Sequence, residues 1–131
     1  MRRPDVAPVD AFDLPDWLGL TPVTWTAVDS IGTTHLVAGC LRGDGEPAEQ
    51  LDCDVLACDL AYPLPVLDEG WRHDAHQAWT LDEVLLVEYD GRLTLVIPGT
   101  TVRAEPAMEA VRRLAKAVGA PADRFTVSLR L

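Results

Sequence analysis

The stretch VLLVEYDGRLTLVI, residues 84–97, carries the clearest pattern of apolar and polar positions in this chain. Asp90-Gly91 is a favoured dipeptide for a two-residue type I′ turn, and apolar residues alternate on both sides of it. A turn of that kind pairs Tyr89 with Arg92, Val87 with Thr94 and Leu85 with Val96 on one face of a hairpin. The other face presents Val84, Leu86, Leu93, Leu95 and Ile97, interrupted only by Glu88. Both faces are apolar, so something is expected to cover each side of these strands.

Strand patterns recur upstream. PVTWTAV (22–28) and THLVAGCL (34–41) are rich in β-branched residues, and DSIGT between them supplies a turn signal. RGDGEPAEQ (42–50) reads as a polar loop, and a third strand covers 51–62. Within that strand Leu51, Cys53 and Val55 alternate with Asp52 and Asp54, and Leu56, Cys58 and Leu60 continue the apolar set one residue out of phase. The slip predicts either a β-bulge or a strand buried on both faces. RFTVSLRL (124–131) reads as the last strand.

Helical spacing appears twice. In LDEGWRHDAHQAW (67–79), Leu67, Trp71, Ala75, Ala78 and Trp79 form one stripe, which turns His73 and His76 towards water. A C-terminal helix is expected over 105–118, opened by Pro106 and stopped at Gly119. Its polar face gathers Glu105, Glu109, Arg112, Arg113 and Lys116, and its buried side Met108, Val111, Leu114, Ala115 and Val118. The element order is therefore β-β-β-α-β-β-α-β. It predicts an α+β fold, a largely antiparallel sheet of about six strands with two helices packed on it. Residues 1–22 read as a Pro/Asp-rich leader packed on the domain and pinned by Trp17, with 23–131 as a single α+β domain. The order resembles that of the secretion-chaperone-like folds, which implies a small, acidic and often dimeric protein.

Composition narrows the setting. Three cysteines without an export signal predict reduced thiols in a cytoplasm. Asparagine is absent and one lysine stands against ten arginines, the mark of a GC-rich genome, as in a high-GC bacterium. The net charge of −10 is unevenly placed. Residues 1–70 hold thirteen acids and three bases, whereas residues 101–131 hold three and six. This balance disfavours nucleic acid and anionic membrane surfaces, both of which attract basic footprints. It favours a basic protein partner. The acidic run from Asp44 to Asp59, with Asp44, Glu46, Glu49, Asp52, Asp54 and Asp59 and no base, is the expected partner-binding surface. A homodimer through an uncovered apolar sheet face is a second expectation.

Candidate chemistry is sparse. Cys53-x4-Cys58 followed by His73-x2-His76 has a spacing close to that of zinc-finger ligands. Unbulged strand geometry sends Cys53 and Cys58 to opposite faces, and a bulge still leaves them roughly 15 Å apart. No metal and no cofactor is expected. The two serines, Ser30 and Ser128, sit in no nucleophile elbow, and no glycine pattern matches a phosphate-binding loop. His73, Asp74 and His76 form the one cluster of titratable groups that could act catalytically. The leading expectation is a non-catalytic, chaperone-like or adaptor domain that binds a basic partner. A small enzyme using His73–Asp74–His76 and an antitoxin-like or nucleic-acid-mimicking inhibitor are the alternatives.

Overall fold

The computed structural model describes residues 5–59 and 66–130. Its strands are β1 (Val6–Pro8), β2 (Val23–Ser30), β3 (Leu36–Val37), β4 (Gly39–Gly43), β5 (Gln50–Ala57), β6 (Leu85–Tyr89), β7 (Arg92–Ile97) and β8 (Phe125–Arg130). The helices are α1 (Trp17–Leu20), α2 (Glu69–Thr80) and α3 (Ala104–Ala117). One eight-stranded sheet runs in the order β1-β6-β7-β5-β4-β2-β8, with β3 also pairing β5. The fold is α+β, but the sheet is mixed. β5 runs parallel to β7 and β2 parallel to β8, while the other pairs are antiparallel. The expected six strands and two helices thus become eight and three, because residues 5–22 contribute β1 and α1 and the 34–41 strand breaks at Ala38.

The hairpin forms in the register its turn dictates. Asp90 and Gly91 both hold positive φ, 53° and 84°, as a type I′ turn requires. Tyr89 then faces Arg92, Val87 faces Thr94 and Leu85 faces Val96. Each apolar face has its own cover. Leu86, Leu93, Leu95 and Ile97 belong to a core with Val111 and Leu114 of α3. Val87, Tyr89 and Val96 belong to a second core with Leu67 and with Trp71 and Ala75 of α2. Both apolar faces of the hairpin are thus packed within the chain, so the hairpin lends no support to the expected homodimer.

β5 explains the phase slip. Its pairing with β7 is continuous from Cys53↔Leu93 to Ala57↔Ile97, so it holds no bulge there and is buried on both faces. Cys53, Val55 and Ala57 enter the α3 core, and Leu56 with Cys58 enters the α2 core. On the α2 side, Asp52 and Asp54 occupy the first half of the strand and Leu56 the second. The change from acid to apolar marks where the cover of α2 ends. The part of the expected third strand beyond Asp59 lies outside the described residues.

Gly39 shows how tightly the larger core is filled. A Cβ there would meet the Trp25 indole at 2.5 Å. Trp25 is fully buried and donates from Nε1 to the Cys53 carbonyl at 2.8 Å, so the ring has no room to yield.

Candidate functional site

A charged node sits where the cover of α2 stops. Asp54, only 4% exposed, receives Arg92 Nε on Oδ2 at 2.8 Å and Arg92 Nη2 on Oδ1 at 2.9 Å. The Gly39 amide donates to Oδ1 at 3.2 Å. The guanidinium also reaches Asp52 Oδ2 through Nη1 at 3.1 Å. Next to it, the buried Thr94 hydroxyl donates to the Arg92 carbonyl at 3.0 Å. A two-pronged guanidinium–carboxylate pair of this kind is among the stronger charge-assisted contacts available. The hydrogen bonds to Asp54 hold the Arg92 pKa above its ordinary value, against the opposing effect of burial. With its two oxygens fully engaged, Asp54 holds β5, β7 and the start of β4 together.

The six acids expected to form one surface therefore divide. Asp44, Glu46 and Glu49 are exposed on the connection between β4 and β5. Asp52 is exposed but shares Arg92, Asp54 is buried, and Asp59 is half-buried past the end of β5. Asp54 is removed from any binding surface, since the sheet encloses it. The connection itself is rooted in the ladder: Arg42 pairs with Gln50, and the Gly43 amide donates to the Glu49 carbonyl at 2.9 Å. No ion pair among the described residues engages Asp44, Glu46 or Glu49.

The histidine cluster also comes apart. α2 is capped by Asp68, whose side chain accepts from the Trp71 amide at 2.9 Å. His73 is exposed, with Asp74 3.8 Å away. His76 does not turn to water as the wheel suggested. Its Nε2 lies 3.2 Å from the Cys58 carbonyl, so the ring ties α2 to the end of β5. His73 and Asp74 thus stand in solvent while His76 serves a main-chain contact. The three side chains do not converge on one centre.

Cys53 and Cys58 lie in the two different cores, on opposite faces of β5. Burial pushes the Cys58 thiol up to about 11 and raises Cys53 further. Both are therefore poor thiolates. Among the described residues no group of three or more His, Cys, Asp and Glu side chains stands close enough to hold a metal ion. No helix there is long and apolar enough to cross a membrane.

One structural contact escaped the sequence pattern. Arg113, expected on the solvated face of α3, is only 9% exposed. Nη1 donates to the carbonyls of Trp79 at 2.9 Å and Glu83 at 2.7 Å, and the guanidinium stacks 3.8 Å from the centre of the Trp79 ring. Glu109 accepts from its Nε at 2.9 Å. Arg113 therefore satisfies carbonyls at and beyond the end of α2 and joins the two helices. The buried side of α3 turns accordingly, taking in Ala107 and Ala110 and leaving Met108 exposed. For Arg92 a signal did exist: it and Thr94 are the polar positions on an otherwise apolar hairpin face, where a cation needs a carboxylate partner.

Compared with known proteins, the chain matches no protein family, no curated protein and no solved structure. Its class is therefore that of its fold, an α+β domain on one mixed sheet.

Proposed function

We propose that this chain is a cytosolic, non-catalytic protein-binding domain of the adaptor type, and that it engages a basic partner through the β4–β5 connection. The observation that supports this reading is the set of exposed carboxylates of Asp44, Glu46 and Glu49, which no cation among the described residues neutralises. Two other carboxylates are held within the fold, Asp54 by Arg92 and Glu109 by Arg112 and Arg113. Three unpaired charges within six residues of a connection rooted in the sheet produce a fixed negative patch. Such a patch acts mainly on association rate and partner choice, so binding is steeply salt-dependent.

The test is capture from native cytosol by the wild-type chain and by a variant carrying Asp44→Lys, Glu46→Lys and Glu49→Lys. The variant loses the basic proteins that the wild type retains at low salt. Equal capture by both chains removes this reading. Asp54 has no place in such a test, because reversing its charge breaks the interior.

A further inference from the structure

The last strand, β8, ends the sheet. It pairs β2 on one side, and among the described residues no strand pairs its other side. An open edge of this kind presents unpaired amide and carbonyl groups, ready to accept one more strand. Beside it runs a groove of about 490 Å³ between β8 and α3, lined by Met108, Val111, Phe125 and Val127 among others. Met108 is 51% exposed at its rim. Side chains along β8 alternate. Phe125, Val127 and Leu129 pack towards the α3 core, and Thr126, Ser128 and Arg130 are exposed on the other face.

Charge selects the occupant. Arg124 and Arg130 bracket the strand, six residues or roughly 20 Å apart. Each is anchored to a main-chain carbonyl, Arg124 to Gly19 at 3.2 Å and Arg130 to Val28 at 2.7 Å. Neither forms an ion pair with a carboxylate among the described residues. Asp123 is the one carboxylate lining the groove, and Arg112 there is already held by Glu109 and Asp82. We infer that β8 and its groove dock an extended segment of a partner protein that alternates apolar with acidic residues. Its main chain continues the sheet, its apolar side chains enter the groove beside Met108 and Val127, and its carboxylates draw Arg124 and Arg130 from the Gly19 and Val28 carbonyls they now hold. A second copy of this chain fits poorly in the register centred on Val127. Antiparallel self-pairing centred on Val127 sets Arg124 against Arg130, and like charges directly opposite are destabilising.

This surface goes beyond the acidic connection and is tested apart from it. A displayed library of random dodecapeptides is selected against the full chain, and selected sequences are made as synthetic peptides. The inference predicts enrichment of alternating apolar and acidic residues and slowed amide exchange along β8 when peptide is bound. Methylating alternate peptide amides, which removes main-chain donors while the protein stays native, weakens binding at least tenfold, as do Met108→Glu and Arg130→Glu, both at exposed positions. Failure to enrich any peptide, enrichment without alternation, protection that bypasses β8, or a β8-paired dimer in sedimentation overturns it. Charge reversal at Asp44, Glu46 and Glu49 leaves peptide binding intact, so the two surfaces fail or stand separately.

Discussion

Arg92 holds the buried Asp54 carboxylate by two parallel hydrogen bonds of 2.8 and 2.9 Å, across 38 residues of sequence. The two partners are unequally placed, since the Arg92 side chain is 39% exposed and that of Asp54 is 6% exposed. Loss of Arg92 strands a charge in the interior, whereas loss of Asp54 leaves a cation that still has Asp52 and water. Arg92→Ala is therefore expected to cost about 3–5 kcal/mol, and Asp54→Asn distinctly less. Urea denaturation of both variants checks the order, and equal losses contradict it.

Arg113 makes a similar point about helix ends. Arg113→Lys keeps the charge but loses the planar fork that serves two carbonyls and the stacking on Trp79. It is expected to destabilise the domain by about 1.5–3 kcal/mol. Amide exchange across 78–84 should accelerate more than exchange in β7. A uniform change would deny Arg113 its role at the end of α2.

The thiols should separate by reactivity. Cys53 and Cys58 are buried, with Cys58 pushed up to about 11, while Cys40 is only partly buried. Native alkylation near neutral pH is expected to label Cys40 alone, with Cys53 and Cys58 reacting only after denaturation. Peptide mass mapping reads the result, and early labelling of Cys58 contradicts the packing of the α2 core.

Acid should weaken the α3 surface in a defined window. Hydrogen bonds from Arg112, and then from Arg113, hold Glu109 at about 2, below its ordinary 4.5. A depressed carboxyl contributes stability that is fully present above its unfolded pKa and is lost as pH falls through its folded one. The stability advantage of the wild type over Glu109→Gln should therefore shrink from pH 4.5 towards 2. A constant difference across that range would show that the pairs carry no such linkage.

Local rules were legible and tertiary ones were not. The Asp90-Gly91 turn sets its register from neighbouring residues, and the hairpin matches pair for pair. The α3 helix starts and stops within a residue of where Pro106 and Gly119 suggest. The parallel pairings β5–β7 and β2–β8 leave no local trace, because each joins strands far apart in sequence. β1, only three residues with a proline, is a strand through its pairing with β6 rather than through its own pattern. The alternation of Asp52 and Asp54 with apolar neighbours suggested two equivalent solvent-facing acids. Arg92 and the edge of α2 make them different, one shared at the surface and one enclosed. His76 likewise followed the helical wheel only until the Cys58 carbonyl came within reach.

The acidic β4–β5 connection as the recognition surface is the central claim, and hydrogen exchange on the chain bound to its captured basic partner tests it most directly. The account predicts slowed exchange across 43–50, lost when Asp44, Glu46 and Glu49 are reversed in charge. Exchange there at the rate of the free chain, with protection falling on other elements, would contradict it.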